Sequence, residues 1–169
     1  ANPMNSVPTL ESVRVELEEI LRRVTPMLAA LDPESISRRS GPKKWSKKEI
    51  LGHLIDSAAN NHQKFVRLLS HTEFDFPGYA QEDWAAVQMW ADADFDAMQT
   101  LWLAYNRHLA FLISQIPSEA QSNCMTIDGV GPFRLDFIVS DYVEHLKHHL
   151  RQIFPDAGFE TRFENVYHR

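Results

Sequence analysis

Trp45-Ser46-Lys47-Lys48-Glu49-Ile50-Leu51-Gly52-His53-Leu54 is the stretch that decides what kind of molecule this chain makes. Ser46 followed three residues later by Glu49 is a capping box. Each side chain takes the other residue's free backbone donor, and a helix starts there. Ile50, Leu54, Ile55, Ala58, Phe65, Leu68 and Leu69 then recur at helical spacing and carry the helix to about Ser70. On this helix His53 shares a face with Asp56, Ser57 and Asn60, at spacings of three, four and seven. A polar stripe set among Leu54, Ile55, Ala58 and Ala59 reads as the lining of a cavity.

Three more segments keep the helical period. Val13, Leu17, Ile20, Leu21, Val24, Met27 and Leu28 make one buried stripe over about Thr9 to Leu31, and Pro26 should kink or break that helix. Met98, Leu101, Trp102, Tyr105, Leu109, Leu112, Ile113 and Ile116 predict a helix from near Asp94 to Ile116. The last runs from about Leu135 to Phe154 and stops at Pro155. Between the second and third lies a loop from Thr72 to Tyr79, too aromatic to be merely solvated, then a short helical piece around Asp83 to Trp90. Asp128-Gly129 is turn chemistry, with a short strand expected at Cys124 to Ile127. The expectation is an all-α, four-helix bundle with long crossover connections, a single domain over residues 1–169 with a short C-terminal extension from about 156.

Composition narrows the function classes. Hydrophobic residues make up 44% and charged residues 24% of the 169, the balance of a soluble globular chain. The net charge of -6 disfavours a phosphate-backbone partner, so no nucleic acid is expected. No apolar run reaches the roughly 18 residues of a membrane span, and the first residues show no basic-then-apolar leader. A single cysteine, Cys124, excludes an internal disulfide and points to a reducing, cytoplasmic setting. With no Lys or Arg beside it, Cys124 reads as structural.

The chemistry concentrates in Asp141-Tyr142-Val143-Glu144-His145-Leu146-Lys147-His148-His149-Leu150. His145 and His149, four residues apart, project from one face, continuing the seam Leu135, Ile138, Tyr142. Asp141, one turn earlier, is placed to accept the outer ring proton of His145. A pair is half a site, because a transition metal wants at least three protein ligands. His53 is the candidate third. His62 lies about 180° round the helix from it, His71 falls in a loop, His108 is a weaker candidate on the third helix, and His168 is in the tail. A histidine pair can arise by chance as a surface or capping feature, and a polar stripe can be a satisfied core patch. Both together on two helices of one bundle point to a divalent transition metal, zinc or nickel first, with iron, manganese and cobalt open. Three protein ligands leave a position free, the pattern of a catalytic site.

Trp45 to Leu54 resembles the second-helix signature of the DinB-like (DNA-damage-inducible) superfamily, and Glu144 to Ile153 resembles its fourth-helix signature. Tyr79-Ala80-Gln81-Glu82-Asp83-Trp84 is similar to a loop of the YfiT-like branch. The resemblance runs in helix order from about Leu10 to Phe154. It implies a four-helix bundle with an unusual connection order, and a metal held by His53, His145 and His149. It also implies the company of thiol-dependent transferases and isomerases that use bacillithiol or mycothiol, and of metal-dependent hydrolases with no known substrate. Members of this branch often form homodimers, and the name implies no role in DNA repair.

The reading that follows is a small metal-dependent hydrolase or thiol S-transferase acting on a small-molecule substrate, the metal activating a water or a low-molecular-weight thiol. Leu146, Lys147 and His148 inside the histidine pair leave no glutamate base of the His-Glu-x-x-His kind, which favours thiol chemistry. Asp56, Asn60 and Tyr79 are the candidate pocket residues, and Asp56 a candidate base. Against thiol transfer, no basic cluster for an anionic thiol stands out beyond Lys64 and Arg67. The alternative is a non-catalytic metal or small-molecule binding protein of a stress response. A third reading, a plain bundle with paired surface histidines, predicts no metal.

Overall fold

The computed structural model describes residues 8–167; the leader expectation and His168 lie outside the described residues. Four long helices form the bundle: α1 (Leu10–Ala29), α3 (Lys47–Ser70), α5 (Phe95–Ser114) and α6 (Leu135–Ile153). Two short ones, α2 (Pro33–Ser37) and α4 (Gln81–Val87), sit in the connections. Strands β1 (Glu73–Phe76), β2 (Cys124–Ile127) and β3 (Val130–Arg134) make a small sheet in the order β1-β2-β3.

The helices begin where polar side chains take the first free backbone donors. Thr9 accepts from the Ser12 amide and Asp94 from the Ala97 amide. At the head of α3, Ser46 and Glu49 close the capping box at 3.1 and 3.2 Å. Glu49 is also buried and receives both guanidinium arms of Arg39, at 2.8 and 2.7 Å. Its carboxyl is held below the ordinary range: burial pushes the other way, and the Arg39 and Ser46 hydrogen bonds prevail.

Pro26 does not break α1, which continues to Ala29. It falls one turn from the end, so its missing N–H removes a single ladder bond, while buried Leu28 holds the last turn to the core.

Packing explains the connections. α1 lies beside α5 and α6, and α3 beside α5 and α6. The consecutive pairs α1–α3 and α5–α6 are therefore diagonal, which short loops cannot join. Residues 30–46 make the first crossing and residues 115–134 the second. The second crossing contains β2 and β3, joined through Asp128 (φ 49) and Gly129 (φ 75), the left-handed pair that a two-residue hairpin requires. β1 replaces the expected loop at 73–76 because it pairs, in parallel, with β2 some fifty residues on. After α4, Met89 (φ 56) turns the chain left-handed into a 3-10 turn at Trp90–Asp92.

That turn is locked onto α3. The Trp90 indole lies against Gly52 so closely that a Cβ there would fall inside the ring. In the same place Trp90 Nε1 and Gln88 Nε2 donate to the two oxygens of buried Asp56, at 3.1 and 2.9 Å. Gly52→Ala separates two effects of opposite sign. Helix propensity alone would stabilise by about 1 kcal/mol, whereas overpacking against the indole costs about 1–3 kcal/mol. We expect a net fall in the urea midpoint; an unchanged or raised midpoint would show that the ring is not clamped there.

Candidate metal centre

Three imidazoles meet between α3 and α6. His53 enters from the second turn of α3, and His145 and His149 come from successive turns of α6. His53 Nε2 and His149 Nε2 each stand 3.1 Å from His145 Nε2. One ring nitrogen has either a single proton or a single lone pair, so both approaches cannot be hydrogen bonds. Zinc–imidazole bonds of about 2.0–2.1 Å in a tetrahedral site place nitrogens about 3.3 Å apart. The donor set therefore fits a divalent metal ion. These are the only three ligand-type side chains that gather within 4.8 Å of one another among the described residues.

Surrounding groups fix the rings. His149 Nδ1 lies 2.9 Å from Gln152 Oε1, which accepts, so the proton sits on Nδ1 and the Nε2 lone pair faces the cluster. His145 Nδ1 is 3.4 Å from Ser57 Oγ. His53 Nδ1 is buried with no partner. The Trp45 ring lies 4.9 Å from that of His53 and 6.5 Å from that of His149, closing one side. Phe163, from the tail, lies 5.0 Å from His145 on another.

Burial keeps all three rings neutral. His53 is pushed down to about 3 and His149 to about 4, and His145 falls well below 6.5. Desolvation is the main cause, and neighbouring imidazoles add to it. Neutral imidazoles are the form that binds metal.

The other expected site residues fall elsewhere. Asp141 does not reach His145. Its carboxylate accepts from the Tyr167 hydroxyl at 2.6 Å and faces Lys64, and burial raises its pKa to about 6. Lys64 is itself buried, lowered to about 8, with its ammonium over the rings of Tyr167 and Phe76. Asp56 spends both oxygens on Trp90 and Gln88, which leaves it a structural anchor with a pKa raised by burial. Asn60 donates to the Asp56 carbonyl at 2.9 Å, and Tyr79 packs on Trp84 with its hydroxyl pKa raised by burial and by the Asp56 and Glu82 charges. His62 faces α5, 2.9 Å from the Tyr105 hydroxyl, with His108 beside it.

Sequence reading put Ser57 on the face of His53 and Gln152 in the seam of His145 and His149 without giving either a role, and it missed Phe163 as a neighbour of the histidines. It also missed a run of six cations with no acid, Arg38-Arg39-Ser40-Gly41-Pro42-Lys43-Lys44-Trp45-Ser46-Lys47-Lys48. Four of those cations, Arg38, Lys43, Lys44 and Lys47, line a cleft of about 630 Å³ that His149 also lines.

The depressed histidines set a pH dependence. Below the ordinary value of 6.5 the unfolded chain takes up protons that the folded metal-free chain refuses down to about pH 3–4. Their contribution to stability is thus complete above pH 6.5 and is lost as pH falls through that window. Asp141 acts oppositely, so the measurement is a difference. Denaturation midpoints of the metal-free protein and of His53→Gln/His149→Gln are compared from pH 7 to pH 4. We expect the wild type to lose more; parallel curves would mean the rings are not held neutral.

Comparison with known proteins agrees with this architecture. A family model described as the DinB superfamily matches residues 16–153. No curated protein sequence matches the chain. Among solved structures, YfiT from Bacillus subtilis, described as a probable metal-dependent hydrolase with an unusual four-helix bundle topology, is similar with a TM-score of 0.81 at 17% identity. That match covers 92% of this chain and 90% of that one. A mycothiol-dependent maleylpyruvate isomerase is similar with a TM-score of 0.68 at 12% identity, covering 97% of this chain and 69% of that one. A mutant of a mycothiol-dependent maleylpyruvate isomerase gives a TM-score of 0.61 at 16% identity over the same shares.

Proposed function

The chain belongs to the DinB superfamily, and from that premise we propose that it is a small metal-dependent enzyme, a hydrolase or a thiol S-transferase. The observation that carries this reading is the approach of His53 Nε2 and His149 Nε2 to His145 Nε2, at 3.1 Å each, which cannot both be hydrogen bonds. His53, His145 and His149 are the residues that would hold the ion. A divalent metal bound there supplies Lewis acidity, lowering the pKa of a water or thiol at its open position.

This chain's own residues do the rest. Gln152 holds His149 in the tautomer that presents Nε2 inward, and Ser57 lies against Nδ1 of His145. Trp45 and Phe163 exclude water from two sides, which strengthens every charge interaction within. Among the described residues no carboxylate stands beside the three rings as a free base: Asp56 and Asp141 are both engaged elsewhere. That favours a thiol nucleophile, whose pKa a bound metal would lower without a protein base. The cationic cleft beside His149 removes the objection that an anionic thiol would find no partner. The relatives described as a probable metal-dependent hydrolase and a mycothiol-dependent isomerase support the two reaction classes as candidates.

The test is metal content of protein purified without a histidine tag. About one zinc- or nickel-class ion per chain is the expectation for a three-imidazole site, lost in His145→Ala/His149→Ala with helix content retained. His53→Ala, still folded, should lose turnover on thiol and ester substrates. Metal bound with no turnover on any of them would move the protein to a binding role. No metal uptake in either form would leave a bundle without a metal centre.

A further inference from the structure

The cleft of about 630 Å³ next to His149 has a charge unlike that of the rest of the molecule. The chain carries a net charge of -6. Arg38, Lys43, Lys44 and Lys47 line this cleft, against the single carboxylate of Glu82. None of the four cations forms an ion pair among the described residues. Cations gathered without counter-charges repel one another, and in a concave wall their field is focused.

Their arrangement is built rather than incidental. The segment is anchored at both ends of its basic run. Arg39 is clamped to buried Glu49 by two hydrogen bonds, and Ser46 is fixed by the capping box. Between those anchors Lys43 and Lys44 are exposed along the cleft, while Trp45 lies against His53. The same cleft is lined on its far side by His148, His149 and Gln152. One continuous space therefore runs from a cationic rim to the imidazole that lines the candidate metal centre. Its volume is that of a small-molecule site, which typically spans about 300–1,000 Å³.

We propose that this cleft binds a small organic anion, a carboxylate or phosphate of it held by Arg38, Lys43, Lys44 and Lys47 while the rest of the molecule extends towards His149. The inference deepens the metal-enzyme reading by giving the substrate or thiol cofactor a charge class, but the cleft itself consists only of protein side chains. Lys43 and Lys44 act as binding residues and contact none of the three histidine nitrogens.

The experiment is calorimetric titration at low ionic strength, with and without added zinc. The probes are succinate, glycerol phosphate and neutral succinamide. Succinate or glycerol phosphate, or both, should bind at least about tenfold more tightly than succinamide, and Lys43→Gln/Lys44→Gln should erase about tenfold of that. Raising the salt to about 0.3 M should weaken binding similarly. The relative strength of the two anions distinguishes carboxylate from phosphate recognition. Anion binding that is metal-independent and lost in the variant supports the inference even if no metal centre exists. Binding that needs zinc and ignores the lysine substitutions would place the anion on the metal and overturn the inference while leaving the metal reading intact. Failure of both anions to bind, in either state, also overturns it.

Discussion

Three uncharged imidazoles inside a helical bundle, two of them with Nε2 held 3.1 Å from His145 Nε2, constrain everything around them. Such a cluster has no place in an apolar core unless it is shared by a cation or solvated, because buried polar atoms without partners are costly. α3 and α6 must therefore meet at one register, with His53 level with the gap between His145 and His149. Most of the buried polar side chains lie on α3, opposite His149 of α6, with Asn106 of α5 the exception. The remaining contacts of α1, α5 and α6 are built from Leu17, Val24, Trp102, Leu109, Leu146 and Leu150. Stability and site chemistry occupy different seams of the same helices.

The consecutive pairs α1–α3 and α5–α6 are diagonal. A bundle whose consecutive helices were neighbours could be closed with tight turns. Here the crossings are long enough to carry structure of their own, and the first of them, with the connection between α3 and α5, contributes to the site's surroundings. The first crossing delivers the basic segment and Trp45; the connection between α3 and α5 delivers the Trp90 turn that clamps Asp56. Loops between rigid helices are where binding surfaces are usually added to a scaffold, and the segments flanking this histidine cluster are of that kind.

What could be read from the sequence was whatever depends on nearby residues. The capping box, the helix periods and the i, i+4 spacing of His145 and His149 are all local, and they place four helices and three converging rings. β1 was not legible, because Glu73–Phe76 becomes a strand only by pairing with Cys124–Ile127. Asp141 looked like the outer partner of His145 by its position on the helix. Tyr167, 26 residues away, takes that carboxylate instead, and no helical spacing reveals a tail folding back. The basic segment was overlooked for a different reason. Its charges sit in a loop, and only the Arg39–Glu49 clamp turns them toward the histidines.

Among the described residues, the chain after α6 has no backbone ladder of its own. It lies on the bundle through side chains: Thr161 donates to the Glu144 carbonyl, the Arg162 amide to the Glu144 carboxylate, and Tyr167 to Asp141, while Phe159 is buried under Arg23. A segment held this way detaches at a lower free energy than the helices beneath it. Phe163 belongs to that segment and covers His145. The rear wall of the histidine cluster is thus the least stable part of its enclosure. Opening that wall would cost only the few contacts of the tail rather than the stability of the bundle.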